Sequence, residues 1–563
     1  CTGSSDGQIQ ISVDGADSPY TFTFESDPPT PVGDFQNLSP GTYNIVVETG
    51  TGCIWNTISV TVSETVDWVG TTSDWQTTSN WCNNALPGNK AKVTIPTSAS
   101  TMPVISGEVR LSDLNMETST MLTVESGGAL LLTGDFTGQG EVNAQRNLRG
   151  SGSYNLMGTP LAGVLTSDLQ ATHIFEWDGS SFTVPSGALQ PGKGYFVATG
   201  GSNPTLDITG KPVTGQVNIV ISNSGDAYNA VANPYLAAID RSAFIAANST
   251  AIDGNIWLWN DGGSNVGGSR GGDYVLINNL GVSSTVDLGD GVSGTKSLPS
   301  NNSPITSFQG FLVSATANAS ISFTPSMQVS TTGSNADGNF YRVDNESVST
   351  LKLSLSNENH YNETLIGFTK EATDGLDYAL DGAYRSVNPD FAFYSLSGET
   401  PLAIQGLPLA NQVEVEVKLG FELRSSGTYH LQVEKMQNIT GSAFLLDKKT
   451  NSLTLLDGST SLEIELSPGK NLDQYSILFS PYEVLSSVRM KDKILIYGST
   501  QKLHLTTSLQ GNHQVTIHDL SGKVIHHEQV KFDNGHAGFP ISLHQNQIYV
   551  LRVDQSSLKF IVK

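Results

Sequence analysis

The sequence predicts an all-β protein, and three observations carry this prediction. Glycine occurs 57 times in the 563 residues and charged residues make up only 15%, a composition typical of short strands joined by tight turns. Helix-forming residues never accumulate at a sustained period of about 3.6. Short apolar or alternating stretches, bounded by turn residues, recur along the chain. We therefore predict a multidomain chain of Ig-like and jelly-roll-like β-sandwiches with a short β-solenoid-like segment.

Length and charge narrow the class further. At roughly 150 residues per domain, the chain should divide into about four domains. Acidic residues outnumber basic ones 53 to 29, and the net charge of −24 argues against nucleic acid as a partner. No apolar run approaches the roughly 18 to 20 residues that span a bilayer, and no charged-then-apolar leader precedes Cys1. Because the sequence starts at a cysteine within strand-like sequence, we expect the natural N-terminus to lie upstream.

Residues 1–64 alternate strand-like stretches with Gly, Pro and Asp turns, which predicts a small Ig-like sandwich. Two segments, CTGSSDGQIQISVDGADSPYTFTF and LSPGTYNIVVETGTGCIWNTISVTVSE, resemble the repeat of the gliding-motility adhesin SprB. That module usually occurs in tandem, so the resemblance implies further copies before residue 1. The predicted strands are Gln8–Val13, Tyr20–Phe24, Tyr43–Glu48 and Thr57–Ser63.

The three cysteines, Cys1, Cys53 and Cys82, are too few for a disulfide scaffold and wrongly spaced for a zinc site. Cys1 and Cys53 stand at the two ends of one strand-rich segment, where a disulfide would staple the module in an oxidising exterior. They also match the recurring cysteine pair of the SprB-type repeat, so the resemblance implies a Cys1–Cys53 disulfide. Cys82 is then left over, with an intermolecular disulfide and a buried free thiol both open.

Residues 65–145 begin with a cluster of Trp68, Trp75 and Trp81, followed by short apolar triplets between Gly, Ser and Asn turns. The tryptophans favour a buried aromatic plug over a sugar-stacking platform. The triplets recur at short intervals, as in stacked coils, which predicts a small β-solenoid-like unit.

Residues 146–330 contain many short strand patterns and one helix-like stretch, Arg241–Asn248. We expect a β-sandwich-like surface domain. The blocks GKGYFV, NAVANPYLAAID, NIWLWND and FQGFLVSA resemble an uncharacterised segment of large surface proteins of Bacteroidetes, although Ala232 stands where that segment has Gly.

Residues 339–482 follow a polar linker and resemble the β-sandwich that commonly precedes the sorting domain in the same proteins. Within the segment, Asp374, Asp377 and Asp381 could gather oxygen ligands for Ca²⁺, the only cofactor considered. The alternative is a plain acidic turn at a sandwich edge.

Residues 483–563 change composition sharply. Nine Lys/Arg against six Asp/Glu give this segment +3, which leaves −27 for the rest of the chain. QVTIHDLSGKVI at 514–525 and IYVLRVDQSSLKFIVK at 548–563 resemble the type A C-terminal sorting domain of type IX secretion substrates. The resemblance implies recognition by the type IX translocon and its outer-membrane shuttle protein. It assigns the sorting motif to Gly522, Lys523, Tyr549 and Lys563.

These expectations favour a non-catalytic function. We predict the C-terminal part of a large, exported bacterial surface protein that serves adhesion or structural display and contacts surface glycans or other surface proteins. The alternative is a secreted polysaccharide-binding or polysaccharide-degrading protein whose catalytic domain lies upstream. Under that alternative, five tryptophans would stack on sugar rings: Trp68, Trp75, Trp81, Trp257 and Trp259.

Overall fold

The computed structural model of the chain is almost entirely β-sheet. Its described part contains 49 strands, a single α-helix and three short 3₁₀ helices, Thr78–Asn80, Thr166–Leu169 and Pro325–Met327. In that part, no helix has the length and apolarity needed to cross a membrane. The all-β prediction is therefore confirmed. The structure describes residues 7–13, 19–25, 27–50, 54–148, 154–177, 179–200, 204–259, 274–284, 304–330, 349–358, 360–385, 390–409, 414–450, 452–481, 483–484, 494–507, 509–533, 535–554 and 556–562.

The chain divides into two compact units. The first comprises Cys1–Ile252 and Ser303–Arg342, and the second comprises Asp253–Asn302 and Val343–Lys563. The residues that the sequence places in one domain, 146–330, are thus shared between the two units.

The first unit begins with a small two-sheet sandwich. Its strands are β1 (Gly7–Gln10), β2 (Tyr20–Phe24), β3 (Asp34–Leu38), β4 (Gly41–Thr49) and β5 (Ile54–Val62). One sheet pairs β1 with β3, and the other has the order β2–β4–β5. Alternation along the strands turns Phe22, Ile45 and Val47 inward, where they are buried between the sheets.

The next segment is a parallel β-solenoid, as the sequence predicts. Its strands are β6 (Thr65–Asp67), β7 (Lys92–Ile95), β8 (Val104–Ile105), β9 (Glu108–Leu111), β10 (Asp113–Met116), β11 (Met121–Val124), β12 (Ala129–Leu132), β13 (Phe136–Gly138) and β14 (Glu141–Asn147). Strands of successive coils pair in parallel, so that Asp113 lies beside Lys92 and Glu141 beside Met121. Each coil points every second side chain inward, which stacks Leu114 and Leu122 in one continuous core.

Antiparallel elements follow the solenoid. They are β15 (Tyr154–Met157), β16 (Leu161–Ala162), β17 (His173–Trp177), β18 (Phe182–Thr183), β19 (Tyr195–Ala198), β20 (Thr205–Pro212), β21 (Val217–Ile221), β22 (Tyr228–Ala232), β23 (Ala238–Ile239), α1 (Arg241–Ala247), β24 (Ile252–Trp259), β25 (Tyr274–Ile277), β26 (Val282–Ser284), β27 (Gly310–Ala315), β28 (Ala319–Phe323) and β29 (Gln328–Val329). In the first unit, β20 pairs with β14 and extends a solenoid sheet, and another sheet has the order β15–β19–β17–β18. The pairs β21–β28, β22–β27 and β23–β29 complete this region.

The predicted helix is α1. The Asp240 carboxylate caps it by accepting a hydrogen bond from the Ala243 N–H at 2.8 Å. Its buried Phe244 packs against Phe323 and Phe311.

The second unit contains one large curled sheet. Its strands are β30 (Ser349–Ser356), β31 (Tyr361–Thr369), β32 (Gly382–Ala383), β33 (Phe391–Ser397), β34 (Thr400–Pro408), β35 (Val415–Leu423), β36 (Gly427–Gln437), β37 (Ser442–Asp447), β38 (Ser452–Leu456), β39 (Ser461–Leu466), β40 (Gly469–Asn471) and β41 (Tyr475–Ser480). The sequence predicts a β-sandwich for residues 339–482, and in the structure all twelve strands are joined by hydrogen bonds into one sheet. Strand twist accumulates across so many strands and curls the sheet around a core that includes Phe393 and Phe421.

The C-terminal residues form a sandwich with its own core. Its strands are β42 (Glu483–Val484), β43 (Leu495–Gly498), β44 (Lys502–Thr506), β45 (Gly511–Asp519), β46 (Val524–Phe532), β47 (His536–Pro540), β48 (Ile548–Val553) and β49 (Ser556–Ile561). The two sheets have the orders β42–β43–β44–β47 and β46–β45–β48–β49. Buried Leu503, Ile517, Leu551 and Phe560 fill the space between them.

Candidate functional site

Three of the tryptophans form a buried plug in the solenoid core. We call Trp68, Trp75 and Trp81 the tryptophan plug; their exposed fractions are 1%, 3% and 1%. Trp81 meets the other two rings edge-on, with ring centroids 4.9 and 4.6 Å apart. The Trp68 indole N–H donates to the Thr101 carbonyl and that of Trp81 to the Trp75 carbonyl. The plug prediction is confirmed, and these rings have no free face for a sugar.

The other two tryptophans of the polysaccharide hypothesis lie in the second unit. Trp257 is buried on β24 and is likewise closed to a ligand. Trp259 is half-buried and packs edge-on against Tyr274, which the Arg385 guanidinium covers at 5.2 Å. The five tryptophans therefore do not form one sugar-binding surface, because at least four of them are core residues.

The predicted calcium ligands serve the backbone of their own loop. Buried Asp381 accepts hydrogen bonds from the Asp377 and Gly406 N–H groups, each at 2.7 Å. The Asp377 carboxylate accepts from the N–H and the hydroxyl of Thr373. Within the described residues, no group of three or more His, Cys, Asp or Glu side chains is arranged to hold a metal ion. Asp374, Asp377 and Asp381 do not form such a group, and the calcium site stays a prediction.

Burial sets the ionisation of this loop. It raises the pKa of Asp381, while the two backbone N–H donors oppose that rise. The Asp381 carboxyl therefore holds the loop in place through these two hydrogen bonds.

Cys82 lies half-buried against the solenoid core. Its Sγ accepts a hydrogen bond from the Asp67 N–H at 3.2 Å. Cys1 and Cys53 lie outside the described residues. The Cys1–Cys53 disulfide therefore stays a prediction, and the two alternatives for Cys82 stay open.

The sorting-motif residues have different environments in the C-terminal sandwich. Tyr549 is a core residue, 2% exposed, and its hydroxyl accepts a hydrogen bond from the His544 N–H. Gly522 and Lys523 lie in the exposed turn between β45 and β46. Gly522 has a φ of +87°. Glycine suits this position because other residues adopt a positive φ only at a cost in free energy. Lys563 lies outside the described residues.

A partly exposed aromatic surface that the sequence did not reveal lies on the sheet β15–β19–β17–β18, where Phe182 also packs edge-on against buried Phe196 at 5.2 Å. Alternation along β17 places His173, Phe175 and Trp177 on one face, next to Tyr154 and Phe182. We call these five residues the aromatic strip. Neighbouring rings have centroids 4.9 to 6.4 Å apart, and Phe182 is 55% exposed. The period-two pattern of HIFEW was the signal that could have found them.

A polar groove of about 340 Å³ begins where the strip ends at Trp177. Its floor is β22, with the buried residues Ala230 and Val231, and one wall is β21. On the opposite side, the Lys193 ammonium is 2.6 Å from the Glu176 carboxylate. In the described part of the chain, β21 pairs along one edge only, with β28. Its other edge can therefore offer backbone N–H and C=O groups to a ligand.

The family comparison covers this region. A family model described as "Domain of unknown function (DUF8693)" matches residues 108–462, which is 355 of the 563 residues. The chain belongs to this family. The aromatic strip and the groove lie inside the matched part of the DUF8693 chain, whereas the tryptophan plug, the three cysteines and the sorting-motif residues lie outside it.

Other comparisons add no argument about fold or function. No curated protein matches the DUF8693 chain. Among solved structures, domains 4–9 of the surface layer protein SbsC have 10% identity and a TM-score of 0.09, over 98% of this chain and 91% of that one. Salmonella alpha-2-macroglobulin reacted with methylamine has 9% identity and a TM-score of 0.11, over 98% of this chain and 37% of that one.

Proposed function

We propose that this chain is part of an exported bacterial surface protein whose C-terminal sandwich addresses it to a type IX secretion system. The remaining modules are displayed at the cell surface for adhesion. The proposal extends the sequence resemblance of residues 483–563 to type A sorting domains. One structural observation supports it: the motif turn is the exposed tip of a module that closes its own core.

The turn is built as a rigid, accessible element. The Asp519 carboxylate accepts hydrogen bonds from the Ser521 and Lys523 N–H groups at 2.8 and 3.0 Å. The Gly522 N–H donates to the Asp519 carbonyl and closes the turn. Leu520, next to the turn, is 63% exposed and therefore contributes little to the core. A rigid tip with one apolar and one cationic side chain suits recognition by a partner protein.

Charge also separates this module from what it would carry. The segment 483–563 has a charge of +3, whereas the rest of the chain has −27. A receptor that reads a basic module can therefore distinguish it from an acidic cargo by charge.

Charge reversal at the turn tests the proposal in the native host. The full chain with Lys523→Glu should accumulate in the periplasm, while the matched control Lys531→Glu should reach the surface. Lys531 is an exposed lysine on β46, in the same module but away from the turn. Protease added to intact cells measures the surface fraction. Surface levels of Lys523→Glu equal to those of the control would contradict recognition through the turn.

A further inference from the structure

We propose that the aromatic strip and the adjoining groove form a binding site for a neutral oligosaccharide. This inference does not rest on the export proposal, because it concerns residues 154–231 of the first unit and can be tested on purified protein.

The strip has the chemistry that sugar rings require. A pyranose presents a face of C–H groups and a rim of hydroxyls, so it stacks on a single aromatic ring that is accessible to solvent; the strip offers such rings one by one, since Trp177 and Phe182 are tilted by 56° to each other. At this end of the strip, Phe182 is 55% and Val184 is 71% exposed, so apolar side chains are accessible to a ligand. Trp177 is half-buried and is held against Phe182 at 4.9 Å, which fixes its ring for stacking.

The groove supplies the polar groups that a sugar rim needs. Besides the free edge of β21, it is lined by the amide side chains of Gln190 and Asn218. The Asn218 Oδ1 accepts from Gln216 and Ser322 on the solvent side, which holds the amide in place at the groove wall. A volume of about 340 Å³ lies within the range of small-molecule sites. An apolar protein partner would leave these amide and backbone groups buried without partners, at a cost in affinity.

Several contacts hold the site in one shape. The turn after Trp177 is fixed by a hydrogen bond from the Asp226 N–H to the Gly179 carbonyl at 3.3 Å. Gly225 permits this approach, since a Cβ there would lie 2.1 Å from the Gly179 oxygen. The Asn229 side chain bonds to both backbone groups of Ser222 and ties the end of β21 to β22. A preformed site loses less entropy on binding.

The charges favour a neutral ligand over an anionic one. Lys193, the groove's cation, is neutralised by Glu176 at 2.6 Å. The chain as a whole carries −24 and repels acidic polymers.

The test is affinity gel electrophoresis of the purified full chain. The gels contain hydroxyethyl cellulose, xylan, galactomannan or amylopectin as neutral probes, and polygalacturonate as the anionic probe. We expect at least one neutral polysaccharide to retard the protein. Trp177→Ala and Phe182→Ala should each weaken that binding about tenfold or more, while circular dichroism shows that both variants remain folded at the assay temperature. Tyr378→Ala is the matched control, because Tyr378 is an aromatic residue of the second unit that is 70% exposed.

Four results would overturn the proposal. They are no retardation by any neutral probe, retardation by polygalacturonate alone, binding that survives both substitutions, and equal loss in Tyr378→Ala. Sedimentation of the same proteins distinguishes a further case. If the wild type self-associates and Phe182→Ala abolishes this association, the strip is a protein interface and the oligosaccharide assignment fails.

Discussion

The tryptophan plug and the aromatic strip are two aromatic clusters of one unit, and their surroundings differ completely. Ring centroids are 4.6 to 6.0 Å apart in the plug and 4.9 to 6.4 Å apart in the strip. In the plug, the indole N–H groups of Trp68 and Trp81 donate to carbonyls of the same core, and the rings are buried. In the strip, Phe182 is 55% exposed, although its ring also packs edge-on against buried Phe196. Contact between rings therefore does not by itself distinguish a core cluster from a surface cluster; the exposed fraction of the rings does.

The largest expected effect is on the stability of the plug. Trp81→Ala removes a buried ring at the centre of three tryptophans, and we expect a loss of about 3–5 kcal/mol in the free energy of unfolding. Phe182→Ala, its counterpart in the strip, should cost less than about 1 kcal/mol because the ring is already half solvated. Urea unfolding, monitored by hydrogen exchange of the first unit, measures the loss of stability in both variants. Equal losses would remove the distinction between the two clusters.

The same contrast between buried and exposed groups can be sharpened with carboxylates. Asp381→Ala leaves the buried N–H groups of Asp377 and Gly406 without acceptors, and should cost about 2–3 kcal/mol. Asp374→Ala, on an exposed residue of the same loop, should change the free energy of unfolding by less than about 0.5 kcal/mol. Thermal unfolding of the two variants measures both changes in stability. A comparable loss at Asp374 would show that this residue also holds the loop.

Two histidines extend the contrast to pH. Burial lowers the pKa of His504 to about 4, so the unfolded chain binds more protons between pH 6.5 and 4. The C-terminal sandwich should therefore lose stability, by about 1–2 kcal/mol, as pH falls through that window. Half-buried His513 behaves oppositely, because a hydrogen bond to Asp554 raises its pKa; its contribution to stability is lost as pH rises through the raised value.

Hydrogen exchange of β44 at pH 7 and pH 4.5 measures the His504 effect. The His504→Gln variant should lose this acid sensitivity, whereas His513→Gln should keep it. An unchanged pH dependence in His504→Gln would refute burial of the neutral imidazole as the cause.

The smallest effect concerns the sorting turn. Gly522→Ala forces alanine to a φ of +87° and should cost about 1 kcal/mol, although no neighbouring atom obstructs the Cβ. Gly427 is the matched control, because it is equally unobstructed and does not have a positive φ. Thermal melting should show no loss for Gly427→Ala. An unchanged melting temperature in Gly522→Ala would mean that the turn adapts to alanine without loss of stability.

The sequence predicted those features that are written into local patterns. Apolar triplets indicated the solenoid because each coil repeats the same inward alternation, and the tryptophan plug followed from its density of large apolar rings. The curled sheet of the second unit was predicted as a sandwich, since the pairing of β31 with β34 or of β30 with β36 joins strands far apart in sequence. Asp377 and Asp381 were predicted to be calcium ligands because the sequence does not show which backbone N–H groups they bind. The Gly406 N–H, for example, lies near Asp381 only in the folded chain. His173, Phe175 and Trp177 share a face only once β17 is known to be a strand.

Deletion of residues 483–563 from the chain in its native host shows whether the C-terminal sandwich is needed for export. We expect the shortened protein to be folded and trapped in the periplasm, because the export address has been removed. Immunoblotting of cell fractions, with protease treatment of intact cells, locates it. A shortened protein that still reaches the cell surface would contradict the proposed sorting function.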